Sequence, residues 1–298
     1  MSNLVVSDWA PLAKGIYLEG LAVDERRVAV WYSDVIAGGV RGLMSDGGTL
    51  SLNPERKWTG GVIVNADGRV LSSGAGGIMW NNPEDDTSGW LIDTIDGAPI
   101  NGINEMAADA GGALYFGTAD LENIEKGEPP RPAAIYRLTL DRQAIQVADG
   151  LGFANGLMLS DDGSRLYYND TFDGTYVFDV RRDGTLSERR RLLAKEDCDG
   201  MVLDAEGNLL LTGFHSGHLL RVGPDGSELG RIDTPADAIT QVRFGGADLR
   251  DLYVCTVPAD GGDNLKDGIL PTEERSILYR GRGGIAGQRL PAPRFALP

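Results

Sequence analysis

The chain has 298 residues, 42% of them hydrophobic, which is enough for a sizeable core; its net charge of −16 argues against a nucleic-acid or anionic-membrane partner, because binding a polyanion needs clustered Lys and Arg. No apolar run approaches the roughly 18–20 residues of a membrane span, and the start, Met1 to Asp8, lacks the basic and apolar stretches of a signal peptide. Two cysteines, Cys198 and Cys255, make no disulfide framework, so free thiols and a cytoplasmic location are expected.

Six units follow in chain order, each an apolar strand, an Asp/Gly-rich turn and a second apolar strand. Their turns are Asp24-Glu25-Arg26-Arg27, Asn65-Ala66-Asp67-Gly68, Asp109-Ala110-Gly111-Gly112, Ser160-Asp161-Asp162-Gly163, Asp204-Ala205-Glu206-Gly207 and Gly245-Gly246-Ala247-Asp248. Anchored on the residue before each turn (Val23, Val64, Ala108, Leu159, Leu203 and Phe244), the units recur at intervals of 41, 44, 51, 44 and 41 residues. A period of about 40–50 residues made of β-hairpins marks propeller blades, not a helical solenoid. The expected fold is all-β: a single six-bladed β-propeller domain over residues 1–298. The longest interval holds an extra stretch, residues 119–132, expected to be a lid; a second long polar connection covers 258–274.

In a propeller, residues at one phase of the repeat surround the central axis at one height. Four residues before each anchor stand Glu19, Gly60, Asn104, Asn155, Asp199 and Thr240, and five of these six carry a side-chain oxygen. Singly, Asn155-Gly156 and Asp199-Gly200 read as turn dipeptides; turn residues, however, have no reason to repeat at one offset. Carboxylates and an amide converging on an axis repel unless a cation sits among them. All-oxygen donors select a hard ion, so the expected cofactor is one divalent cation: Ca²⁺ first, with Mg²⁺, Mn²⁺ or Zn²⁺ as alternatives.

The sequence resembles the gluconolactonase–regucalcin (senescence marker protein) family. The matching stretches are Tyr17-Leu18-Glu19-Gly20-Leu21-Ala22-Val23-Asp24, Asn104-Glu105 with Phe116-Gly117-Thr118, Phe153-Ala154-Asn155-Gly156-Leu157, Cys198-Asp199-Gly200-Met201 and Phe244-Gly245-Gly246 with Leu252-Tyr253, in the family's order. The resemblance implies a six-bladed propeller whose metal is held at the positions of Glu19, Asn155 and Asp199. It also implies a substrate or metal-water contact at Asn104, a role for Asp199 as base as well as ligand, and a substrate-contacting acid at Glu122. Two departures stand out: some relatives carry arginine where this chain has Gly102, and the family's Asn-Asp pair is Asn104-Glu105 here. Both point away from a sugar lactone.

The expected activity is metal-dependent hydrolysis of a lactone or related cyclic ester, with Asp199 and Asn104 catalytic and the substrate a small molecule. Alternatives on the same site are phosphotriester hydrolysis, hydratase or lyase chemistry, or calcium binding without catalysis, since fold does not fix reaction. For Asn104 the plain alternative is a strand-end side chain bonded to backbone. His215 and His218, three apart in an expected strand, are poorly placed as a zinc pair; His215 alone is expected to line the pocket. Gly281-Arg282-Gly283-Gly284-Ile285-Ala286 matches a dinucleotide fingerprint by letter, without room for the βαβ unit that the fingerprint needs.

Overall fold

Each Asp/Gly turn folds one apolar run back on the next, and all six expected hairpins form. The computed structural model describes residues 5–261, 264 and 267–298. Gly262, Asp263, Leu265 and Lys266 of the 258–274 connection, and Met1 to Leu4 of the start, lie outside the described residues.

An N-terminal strand, β1 (Val6–Gly15), precedes the first blade, which consists of β2 (Leu18–Asp24), β3 (Ala29–Asp34), β4 (Val40–Met44) and β5 (Thr49–Leu52). The second holds β6 (Thr59–Val64), β7 (Val70–Gly74), β8 (Ile78–Asn81) and β9 (Ser88–Ile92), and a small hairpin, β10 (Thr94–Ile95) and β11 (Ala98–Pro99), follows it. The third contains β12 (Ile103–Ala108), β13 (Leu114–Thr118), β14 (Ala133–Leu138) and β15 (Ala144–Leu151), with helix α1 (Leu121–Glu125) inserted in the 119–132 stretch. The fourth is β16 (Phe153–Leu159), β17 (Arg165–Thr171), β18 (Gly174–Asp179) and β19 (Arg190–Ala194); the fifth is β20 (Cys198–Leu203), β21 (Leu209–Gly213), β22 (Ser216–Val222) and β23 (Glu228–Asp233). In the sixth, β24 (Ala238–Gly245), β25 (Asp251–Val257) and β26 (Ser276–Gly283) are completed by β1. The first strand thus closes the last blade, covering an edge that would otherwise present unpaired backbone groups. Among the described residues no helix is long and apolar enough to cross a membrane.

The core lies between the faces of successive blades. Leu71, Ile78, Trp80, Ile103 and Phe116 fill the space between the second and third, and Met158, Val202, Leu210, Leu219, Ile239 and Val254 fill the space between the fourth, fifth and sixth. Both cysteines are free and buried.

The first strand of every blade packs on the first strands of its neighbours and lines the channel. Each of these six strands carries a β-bulge at the same place: between Leu18 and Leu21, Thr59 and Val62, Ile103 and Met106, Ala154 and Leu157, Cys198 and Met201, and Ile239 and Gln241. A bulge inserts one residue and re-aims its side chain. The oxygen-bearing phase read from the sequence falls on these six bulges.

The last segment, residues 285–298, crosses the opposite end of the channel. Backbone bonds tie it to Leu203 and Ala205 in the fifth blade, Ala66 in the second and Gly112 in the third, and Phe295 is buried between the second and third blades. A cavity of about 320 Å³ lies there, between the ends of the first strands and Gln288 to Ala292.

Candidate metal centre

The bulges gather Glu19 of β2, Asn104 of β12, Asn155 of β16 and Asp199 of β20 around one cavity of about 70 Å³. It also meets Gly60 of β6, which offers no side chain. Thr240 of β24, the sixth position of that phase, turns away and donates its hydroxyl to Leu18 O at 2.6 Å.

Neighbouring blades hold the bulges in place. Ser33 Oγ donates to Gly60 O at 2.6 Å, Ser73 Oγ to Asn104 O at 2.6 Å, Asn169 Nδ2 to Asp199 O at 2.7 Å and Thr212 Oγ1 to Thr240 O at 3.0 Å. Each donor stands on the second strand of one blade, and each acceptor is the bulge carbonyl of the next. These bonds satisfy carbonyls that the bulge removes from the ladder and fix the direction of the side chains beside them.

Glu19, Asn155 and Asp199 are 7%, 5% and 3% exposed. Thr171 Oγ1 donates its single proton to Cys198 O at 2.9 Å, so it can only accept from Asn155 Nδ2, 3.2 Å away. Among the described residues, that assignment leaves Asn155 Oδ1 with no hydrogen-bond partner, and Asp199 Oδ1 is likewise buried and partnerless. A buried polar atom without a partner costs about 1–3 kcal/mol. Burial, followed by the negative charge of Asp199 and Glu105, holds the Glu19 carboxyl well above the usual carboxylate range. The Asp199 carboxyl is also pushed up, chiefly by burial and with Glu105 adding to it. Tyr17, in the same cavity wall, has its phenol pushed up by burial and by both acids, so it remains a neutral donor.

Two facing carboxylates and an amide oxygen, all dehydrated and partly unsatisfied, fit a hard divalent cation. Oxygen-only donors of mixed charge suit Ca²⁺, whose coordination is flexible, better than ions demanding nitrogen or sulfur. Among the described residues there is no group of three or more His, Cys, Asp or Glu side chains placed to hold a metal; here the third donor is an amide.

Asn104 lines the cavity, with its Nδ2 at 3.4 Å from Ala154 O, a long bond that leaves the amide available. Glu122 does not line it. In the single turn of α1, residues three apart share a face; Leu121 and Ile124 take the inner one, and Glu122 faces solvent, paired with Lys126 at 2.6 Å. A Cβ on Gly102 would lie 2.5 Å from Leu121 Cγ, so leucine occupies the space from which an arginine would reach the site. His215 is exposed in the turn joining β21 and β22, not in a strand, and packs against Phe214 at 4.4 Å between ring centroids. Phe214, not His215, reaches the second cavity, which adjoins the first and shares Tyr17, Ile124, Phe153, Asn155 and Asp199 with it.

Sequence reasoning missed the layer beneath the acids. In the bulges, the residue after the phase position is Gly20, Gly61, Glu105, Gly156, Gly200 or Gln241. Gln241 Nε2 donates to Glu105 Oε2, Arg243 Nη1 donates to Gln241 Oε1 at 2.6 Å, and Arg243 Nη2 pairs with Glu105 Oε2 at 3.5 Å. A Cβ on Gly61 would collide with Glu105 Oε1 and one on Gly200 with Gln241 Oε1, so these glycines make room for the cluster. The signal was legible: glycine fills that phase except where two long polar side chains stand.

Fold and site together define a six-bladed β-propeller with an oxygen-only, acidic site at one end of its channel. The family model described as the SMP-30/gluconolactonase/LRE-like region matches residues 18–258. The chain belongs to that family. It is 28% identical to the pentonolactonase XacC of Haloferax volcanii over 267 residues, covering 86% of this chain and 87% of the relative. Similar solved structures include a calcium-binding protein, regucalcin, from Agrobacterium tumefaciens (TM-score 0.81, 18% identity, covering 99% of this chain and 100% of the other). A gluconolactonase from Xanthomonas campestris is also similar (TM-score 0.77, 22% identity, covering 95% of each chain).

Proposed function

We propose that the protein is a metal-dependent hydrolase of a lactone or related cyclic ester, holding one divalent cation, calcium first, through Glu19, Asn155 and Asp199. The observation that carries this reading is the pair of buried, partnerless oxygens, Asn155 Oδ1 and Asp199 Oδ1, beside a second carboxylate. A relative named for pentonolactone hydrolysis and a similar structure named for gluconolactone hydrolysis support the reaction class, and one named calcium-binding supports the ion.

When bound, a divalent cation polarises a carbonyl oxygen and stabilises the oxyanion that forms. The chain's own groups supply the rest. Asp199 takes a proton from the water whose oxygen adds to the carbonyl carbon, and returns it to the ring oxygen as the ring C–O bond breaks. Asn104, with its amide at the cavity wall, orients substrate or water. Tyr17, kept neutral, can donate a hydrogen bond into the site. Leu121 and Ile124 of α1 close the side toward solvent and exclude competing water.

The test is calorimetric titration of Ca²⁺ and Mn²⁺ into chelator-treated protein, paired with lactone hydrolysis before and after chelation. One bound ion per chain, and activity that disappears with the chelator and returns with the ion, is the expected result. Full lactonase activity in metal-free protein would refute the reading.

A further inference from the structure

We propose that the cavity adjoining the acidic site is a subsite for an apolar substituent on a neutral lactone, walled by Phe153, Phe172 and Phe214 and roofed by Ile124 and Pro130. This deepens, and rests on, the hydrolase reading above: it names the substrate class. The cavity holds about 120 Å³ and shares Asn155 and Asp199 with the acidic site, so a ring whose carbonyl meets those residues extends its substituent into it. At about 30 Å³ for each water-sized group, that is room for roughly four heavy atoms, a short alkyl chain or most of a phenyl ring.

Three independent features point the same way. First, among the described residues the wall has no cation: besides Asp199, the one charged residue lining it is Glu128, so a carboxylated substrate meets repulsion there. Second, the place from which an arginine at position 102 would reach the acidic site is filled by Leu121, and the guanidinium of the lid stretch, Arg131, is engaged by Asp120 at 2.8 and 3.0 Å instead of gripping a polyhydroxylated ring. Third, Phe172 is 50% exposed and its backbone stands at φ 77°, a left-handed conformation that a bulky aromatic rarely adopts. Its N–H is anchored to Glu196 O at 2.8 Å, and its ring meets Phe214 edge-on, with centroids 5.6 Å apart. The turn between β17 and β18 thus holds an aromatic ring out at the mouth, where an apolar ligand would cover it. Phe214, itself buried, gives that ring a fixed partner.

The experiment compares kcat/KM for γ-butyrolactone, γ-octanolactone, γ-phenyl-γ-butyrolactone and glucono-δ-lactone, in wild type and in Phe172→Ala, Phe172→Leu and Phe214→Ala. Calcium titration of each variant establishes that the acidic site remains assembled. γ-Octanolactone, whose substituent is a butyl chain, and the phenyl lactone are expected to exceed the unsubstituted ring by tenfold or more. That ratio is expected to fall at least tenfold in Phe172→Ala and Phe214→Ala, and to be largely restored in Phe172→Leu. A ratio near one in wild type, a ratio unmoved by the alanine variants, or glucono-δ-lactone as the best substrate would each overturn the subsite. If wild type hydrolyses none of the four, the hydrolase reading fails separately. Calorimetric binding of γ-phenyl-γ-butyrolactone then decides the subsite: binding weakened tenfold in Phe172→Ala supports it, and no binding to wild type overturns it.

Discussion

Two polar layers lie one above the other in the channel, and they solve burial in opposite ways. In the lower, Glu105 accepts from Gln241 Nε2 and from Met106 N at 3.0 Å and faces the Arg243 guanidinium, which also donates to Met201 O at 3.0 Å and Val242 O at 2.8 Å. Charge meets opposite charge, and donors meet acceptors. In the upper, Glu19 and Asp199 face each other, and among the described residues no cationic side chain stands in the cavity wall and two oxygens have no partner. The contrast teaches that burial of polar groups does not by itself mark a binding site. A layer complete within the protein is structural, whereas one that is incomplete awaits a ligand.

The largest effect that separates the layers is on turnover. Asp199→Asn keeps the shape of the upper layer but removes the proposed base and a proposed ligand charge, so kcat/KM is expected to fall by at least the 10²–10⁴-fold typical of general bases. The same variant removes repulsion, so unfolding of the chelated protein in urea should shift to higher denaturant. Turnover within threefold of wild type would break the assignment of Asp199.

Next in size is Arg243→Met. It leaves Glu105 buried without its cation, and breaking a buried pair on one side costs about 3–5 kcal/mol. Urea unfolding should show that loss with or without calcium, and Arg243→Met combined with Glu105→Leu should recover much of it. A loss appearing only when calcium is present would place Arg243 functionally in the upper layer and erase the comparison.

Calcium itself should stabilise wild type by about 2.7 kcal/mol at a hundredfold excess over Kd. Asp199→Asn should show less of this gain, while chelated wild type still unfolds cooperatively, since the core between the blades owes nothing to the ion. Unfolding of wild type on chelation alone would make the cation structural.

The smallest effect is on pH dependence. Glu19 and Asp199 titrate above the ordinary carboxylate range, so the chelated folded state holds protons that the unfolded chain has released. That contribution to stability is full below the unfolded pKa of about 4 and is lost as pH rises through the folded values. Subtracting the pH profile of Asp199→Asn from that of wild type, both chelated, should expose this decline against the opposite trend of the other acids. In the same range calcium must displace a proton held by these acids, so its affinity should weaken by about tenfold per pH unit as pH falls. A pH-independent affinity would mean that the acids are already ionised.

Much of this was legible in the chain. Six hairpins, their period and the common phase of Glu19, Asn104, Asn155 and Asp199 follow from turn chemistry and alternation, which are local. The bulges that turn this phase into the channel were not legible, because a bulge exists only relative to the strand paired beside it, and its carbonyl is held by the next blade. Glu122 and His215 were expected at the pocket from their place in the sequence. A one-turn helix instead points Leu121 and Ile124 inward and leaves Glu122 in solvent, and the β21–β22 turn presents Phe214 instead of His215. The sequence by itself determined what repeats, because each blade obeys the same short-range rules. Only the tertiary structure decided what meets across blades: the Glu105–Gln241–Arg243 cluster, the aromatic wall and the closure of β26 by β1. These contacts join residues as far apart as positions 6 and 283, and their geometry depends on how six blades close a ring, which no single repeat encodes.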